Sequence, residues 1–261
     1  MTDANEELVL QQDEGLAILR LNRPQRLNAL SIGMVQRLAV EVPRLVAAPE
    51  VRAILITGTG RAFCAGGDIG GMGGALDPET TLAGMRAFHG WLTALRCSEK
   101  LVITAVNGAA AGGGFGLAMI GDFVVASEQA FFKAAFTALG AAADYGLGYT
   151  LPRAIGDVRA AEILFSDRRV APREALDIGM ISQVFPAESF SADALAFAQR
   201  MARTPRGAQL TKRLLRLGEA EAFARYLEAE AQAQAEAFQS ADFREGVAAF
   251  GESRAAVFAG R

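Results

Sequence analysis

The stretch Leu101–Gly116, LVITAVNGAAAGGGFG, constrains the fold more than any other part of the chain. Its first six residues are apolar and largely β-branched, which predicts a buried strand over Leu101–Val106. Asn107-Gly108 is a turn signal that stops the run, and the triplet Gly112-Gly113-Gly114 follows. A second stretch repeats this grammar: VRAILITG (Val51–Gly58) reads as a strand and leads into RAFCAGGDI (Arg61–Ile69). Each time a buried strand delivers small residues whose backbone N–H groups can be approached closely, because no Cβ stands in the way. Two such segments meeting in space would form a two-donor pocket for a developing oxyanion.

Around these segments the chain alternates strand and helix signals. Leu8–Leu10 and Leu16–Leu21 flank Asp13-Glu14-Gly15 and read as a hairpin. The loop Asn22–Ser31 follows, with Ser31 placed to cap a helix whose apolar face is Met34, Val35, Leu38, Val42, Leu45 and Val46, and which Pro43 should kink. Gly70–Asp77 is glycine-rich and expected to be mobile; a helix is expected over Glu79–Arg96, carrying His89 on or beside its apolar face. After the triplet come a short helix to Gly121, a strand over Asp122–Ser127, and a loop-rich passage from Phe131 that contains Asp144. Helices over Asp157–Phe165 and Pro172–Gly179 precede a strand at Ser182–Pro186. Beyond Ser189 only helices are expected: Ala192–Arg203, Gly207–Leu217, Glu219–Gln239 and Phe243–Phe258. This predicts an α/β core over residues 1–190 and a helical region over 191–261, of a kind that packs against another subunit.

Composition narrows the function. At 261 residues with 51% hydrophobic and 21% charged residues, the chain can bury a substantial core without staples. A net charge of −3 supplies no overall field for nucleic acid or an acidic membrane. Two cysteines, Cys64 and Cys97, make no disulfide framework and fit a reduced, cytoplasmic setting. The uncharged run Leu101–Gly121 holds six glycines and the Asn107-Gly108 turn, so it is not expected to span a membrane. The run Gly108–Gly116 contains no G-x-G-x-x-G, and the chain has no Gly-Lys pair for a phosphate loop and no G-x-S-x-G serine elbow. One histidine and two cysteines argue against a zinc site.

RAFCAGGDI, KLVITAVNGAAAGGGFGLAMIGDFVVAS, LPRAIG, PREALDIGMISQVF and ADFREGVAAFGESRAAVFAGR, in this order, resemble the crotonase superfamily of enoyl-CoA hydratases and isomerases across essentially the whole chain. The resemblance implies a spiral of β-β-α units with a C-terminal helical trimerisation region, assembled as a trimer or a dimer of trimers. It implies an acyl-CoA thioester substrate, with coenzyme A arriving as part of the substrate and no other cofactor. By motif match the oxyanion donors are the N–H groups of Gly67 and Gly113. Substrate contacts carried over are Arg26, Leu27 and Ala29, the segment residues Phe63, Ala65, Asp68 and Ile69, then Phe136 and Phe258. Arg23, Arg26 and Arg261 are candidates for the phosphates, with solvated surface charges as the plain alternative.

The chain also departs from the hydratase pattern. Hydratases carry one glutamate two residues after the glycine triplet and a second four residues before the glycine of a Leu-Gly pair; here Gly116 and Phe136 stand there. Without these carboxylates, water has no evident general base. Asp144, in LGAAADYGLGYTLPR, instead matches an aspartate used by isomerases of the superfamily, where one carboxylate moves a proton across an allylic system; capping of the next helix is its structural alternative. The same position is the nucleophile of chlorobenzoyl-CoA dehalogenases, in which a histidine matching His89 activates water. Three readings result: an isomerase of unsaturated or aryl-activated acyl-CoA with Asp144 as acid/base, an aryl-CoA dehalogenase or hydrolase with Asp144 and His89, or a silent CoA-thioester-binding subunit.

Overall fold

The structure is a computed structural model that describes residues 6–68 and 77–261. Ile69 and most of the expected mobile segment Gly70–Asp77 lie outside the described residues. The hairpin forms as β1 (Leu8–Asp13) and β2 (Leu16–Leu21), paired antiparallel. A 3-10 turn at Pro24–Arg26 leads to α1 (Ile32–Ala47), where the Ser31 side chain accepts a hydrogen bond from the Met34 N–H, as its position predicts.

Three further units then share one pattern. The strands β3 (Ala53–Gly58), β5 (Leu101–Val106) and β7 (Phe123–Ser127) lie parallel in a six-stranded sheet of order β1-β2-β3-β5-β7-β10, with β10 at Gln183–Phe185. Each is followed by a short strand, β4 (Ala62–Cys64), β6 (Ala109–Ala111) or β8 (Phe131–Lys133), parallel to the next in a second sheet that β9 (Arg169–Val170) completes. The unit closes with a helix: α2 (Pro78–Cys97), α3 (Gly113–Met119) or α4 (Leu147–Ile155). Every residue of β3 and β5 is buried, because parallel strands covered on both faces need continuous apolar runs rather than alternation. This is the crotonase-like arrangement of repeated β-β-α units.

Then come α5 (Asp157–Ser166) and α6 (Pro172–Asp177), and past β10 the C-terminal helices α7 (Phe190–Ala202), α8 (Arg206–Leu215), α9 (Glu219–Gln239) and α10 (Ala241–Gly251). Phe190, Ala194, Phe197 and Ala198 of α7 cover one face of the large sheet; Phe223 and Leu227 of α9 join the main core on its other side. An ionic cluster fastens the C-terminal helices to the core: Asp122 meets Lys212 at 2.7 Å and Arg216 at 3.1 Å, and Glu219 meets Arg96 at 2.7 Å. Buried Lys212 also donates to the Lys100 carbonyl at 2.6 Å.

Two expectations change. The loop-rich passage from Phe131 also contains β8 and a 3-10 turn at Thr137–Leu139, ahead of the helix expected after Asp144, which forms as α4. The last helix ends at Gly251 rather than Phe258, where Ser253 turns left-handed at φ 53° and the chain continues without regular structure. Among the described residues no helix is long and apolar enough to cross a membrane.

Candidate active site

The two small-residue segments do converge. Residues 65–68 lie beside the Asn22–Ser31 loop: Ala65 N–H donates to the Leu27 carbonyl at 3.0 Å and Leu30 N–H to the Gly66 carbonyl at 2.8 Å. Asp68 N–H returns to the Leu30 carbonyl at 3.2 Å, forming a parallel bridge between Leu30 and Gly67. Successive N–H groups along an extended chain face opposite sides, so Gly67, between these bonds, directs its own N–H away from Leu30. Gly113 opens α3, and its N–H has no carbonyl one turn back to bond. Among the described residues neither N–H has a protein acceptor. Gly66, at φ +100°, brings the segments together: a Cβ there would lie 3.0 Å from the Ala111 carbonyl oxygen and 3.3 Å from the Gly113 nitrogen.

Asp144 stands next to this pair. A Cβ on Gly113 would lie 3.1 Å from Asp144 Oδ1 and 2.8 Å from the Tyr145 ring. Oδ1 is shut off from solvent and takes no hydrogen bond, while Oδ2 accepts from Gln234 Nε2 at 3.4 Å. Burial raises the carboxyl well above the usual carboxylate range; Glu230 adds to the rise and the Gln234 bond opposes it. Asp144 is not a helix cap, because the N-cap of α4 is Gly146 and no side chain caps it. Tyr145 takes a left-handed φ of 53° and stacks on Phe88 with centroids 4.6 Å apart, which holds the loop against α2.

The two positions at which the resemblance would place a glutamate, Gly116 and Phe136, are closed. A Cβ on Gly116 would lie 2.5 Å from Tyr145 Cβ and 2.8 Å from the Asp144 carbonyl oxygen, so the Asp144-Tyr145 backbone fills the space a side chain there would need. Phe136 is buried at the start of the 3-10 turn. The neighbouring thiol, Cys64, is pushed up to about 12 by burial, which leaves it a packing group rather than a nucleophile.

His89 faces a carboxylate that the sequence reading missed. Its Nε2 lies 3.4 Å from Glu230 Oε1, without the geometry of a hydrogen bond, and burial lowers the imidazole to about 4, so it is neutral at pH 7. Glu230 Oε2 accepts from the Gly146 N–H at 3.0 Å, and burial raises that carboxyl to about 8. Gln234, one turn on, accepts from the Ala142 N–H at 2.9 Å. A signal for both residues was present: continuing the buried stripe Phe223, Leu227 at helical spacing lands on Glu230, Ala231 and Gln234, polar residues in line with the core.

The remaining expected contacts divide. Leu27 and Ala29 sit on the loop beside residues 65–68, with Leu27 at φ 51°, and Arg26 is exposed. Arg23 is committed to ion pairs with Glu7 at 2.8 Å and Asp68 at 2.9 Å. Phe63, expected on the ligand side, is fully buried and its side chain presents no surface. Phe258 is exposed in a C-terminal stretch whose Ala259 and Gly260 N–H groups donate to Asp242, and Arg261 uses its carbonyl to accept from Ala241 and Asp242.

The enoyl-CoA hydratase/isomerase family profile matches residues 11–261. The chain belongs to the enoyl-CoA hydratase/isomerase family. Its relatives in this family include a protein of Rhodobacter capsulatus named "Probable enoyl-CoA hydratase", 40% identical over 250 residues, covering 95% of this chain and 96% of that one. The 1,2-epoxyphenylacetyl-CoA isomerase of Escherichia coli is 35% identical over 255 residues, covering 95% and 97%. Among solved structures, an enoyl-CoA hydratase from Mycobacterium avium subsp. paratuberculosis superposes with a TM-score of 0.87 at 28% identity, covering 97% of this chain and 99% of that one. The chain is thus an enoyl-CoA hydratase/isomerase family enzyme of acyl-CoA chemistry.

Proposed function

We propose that this enzyme isomerises an unsaturated or aryl-activated acyl-CoA, with Asp144 as the single acid/base and the N–H groups of Gly67 and Gly113 as the oxyanion hole. The observation that carries the reading is the pairing of a vacant carboxylate oxygen with a blocked glutamate site. Asp144 Oδ1 is buried, unpartnered and beside Gly113, while the Asp144-Tyr145 backbone occupies the room a glutamate at position 116 would need. The relationship to the E. coli isomerase points the same way.

On a 3-enoyl-CoA, ionised Asp144 removes a proton from C2. The electrons move onto the thioester oxygen, where two N–H donors hold the resulting dienolate, and the same carboxyl returns the proton at C4 to give the 2-enoyl thioester. A carboxyl raised by burial suits this task, because once ionised it is a stronger base than a solvated carboxylate. The loop residues Arg26, Leu27 and Ala29 and the segment Ala65–Asp68 would line the thioester arm. The exposed apolar side chains Val158 and Phe165 of α5 and Phe250 of α10 fit assembly as a trimer or a dimer of trimers.

No observation favours the hydrolytic reading: the carboxylate that the His89 nitrogen faces, at 3.4 Å, is that of Glu230. The test is to supply a 3-enoyl-CoA and a 2-enoyl-CoA separately. Conversion of the first to the conjugated thioester without hydration of the second is expected. Rapid hydration of the second with no conversion of the first would contradict the proposal.

A further inference from the structure

The helix α9 reaches the reaction centre with two side chains, although no motif of the glycine-rich segments includes it. Gln234 bridges the loop that bears Asp144: its Oε1 accepts from the Ala142 N–H at 2.9 Å and its Nε2 donates to Asp144 Oδ2 at 3.4 Å. Glu230, one turn earlier, accepts from the Gly146 N–H at 3.0 Å on the far side of Asp144. The aspartate is therefore bracketed, two residues away on either side, by bonds to a single helix. Both residues are buried, at 5% and 2% exposure, where a polar side chain is costly unless it is used.

We propose that Glu230 and Gln234 are positioning residues that set the basicity of Asp144, Gln234 by donating to its carboxylate and Glu230 by standing a second carboxyl behind it. This rests on the reading of Asp144 as the acid/base. The two act in opposite directions. A hydrogen bond donated to the ionised form favours it, whereas a neighbouring negative charge opposes it. Burial raises Glu230 to about 8, so its charge grows across the neutral range and holds the proton on Asp144 as it does so. Among the described residues, the other titratable groups here are Cys64 from β4, Tyr145 of the loop and Tyr226 of α9, all held neutral with raised values. His89 of α2 faces Glu230 and is neutral at pH 7; farther out, Glu228 acts on His89 and is itself paired with Arg86 at 2.5 Å.

The experiment reads the ionisation of Asp144 directly, by infrared difference titration of its carboxyl against the matching Asp144→Asn protein. This is done in the wild-type, Glu230→Gln and Gln234→Met backgrounds, alongside the pH profile of kcat/KM on a 3-enoyl-CoA. Glu230→Gln keeps an acceptor for the Gly146 N–H but never ionises, and the Asp144 midpoint is expected to fall by about one pH unit or more. Gln234→Met removes the donor, and the midpoint is expected to rise. The acid limb of kcat/KM should follow each shift. A midpoint that stays put in either folded variant overturns the proposal, so failure of one variant to fold leaves the other to decide. Midpoints that move while isomerisation ignores them, or survives Asp144→Asn, would instead overturn the reading of Asp144 and leave the role of α9 standing.

Discussion

At the scale of single residues, the site is defined as much by a missing side chain as by one that is present. Gly116 lets the Asp144-Tyr145 backbone press onto α3, and the Asp144 carboxylate then lies beside Gly113. Gly116→Ala would put a methyl group 2.5 Å from Tyr145 Cβ, with backbone as the second obstacle. Such overpacking costs about 1–3 kcal/mol. Chemical denaturation should show that loss, and the variant should also lose activity, because the loop can yield only by moving Asp144. Asp144 was legible in the sequence because it sits in a recognisable string, LGAAADYGLGYTLPR. Its partners carried a weaker signal: the stripe through Phe223 and Leu227 runs on to Glu230 and Gln234, but in an alanine-rich helix glutamate and glutamine also read as ordinary solvent-facing residues. Burial of those positions is decided by how α9 packs on α2, which is a long-range fact.

At the scale of elements, strands were the easiest to read. β3 and β5 are buried along their whole length, and an apolar β-branched run bounded by glycine has few other outcomes. The short strands of the second sheet were harder, because three residues such as Ala109–Ala111 carry no period and acquire their pairing only from neighbours. Helix ends depend on local chemistry. The start of α2 is fixed by Asp77, whose carboxylate accepts from the Thr80 N–H and hydroxyl, both at 2.9 Å, with Pro78 at the first helical position. These bonds hold the Asp77 carboxyl below its ordinary value. Replacing Asp77 with alanine removes this cap and should destabilise the protein. Thermal unfolding in the absence of substrate would register this as a lower Tm, and an unchanged Tm would mean that packing of α2 against α1 and α9 alone defines its start.

At the scale of the whole molecule, the C-terminal helices meet the repeated units at the proposed site, where Glu230 and Gln234 of α9 bond to the loop that bears Asp144. The price is a buried carboxyl that answers to pH. Glu230 rises from an ordinary 4.5 to about 8 on folding, so the unfolded chain gives up this proton first and the folded protein binds more protons between those values. The stabilisation is full below about pH 4.5 and is lost as pH rises through about 8. His89 acts in the opposite sense at lower pH: lowered on folding from 6.5 to about 4, it contributes stability above 6.5 that is lost as pH falls through 4. Stability of the wild type should therefore decline from pH 6.5 to 8.5, and Glu230→Gln should flatten that decline. Urea denaturation at a series of pH values would show it, and equal slopes in the two proteins would contradict it.

The proposed role of Asp144 is to carry the proton between two carbons of the acyl chain. It is tested most directly by following deuterium incorporation at C2 and C4 of a 3-enoyl-CoA in heavy water, comparing the wild type with Asp144→Asn. Exchange at both carbons in the wild type, falling by about 10²–10⁴-fold in the variant, is the predicted result. Exchange that proceeds at the wild-type rate in a folded Asp144→Asn protein would contradict it.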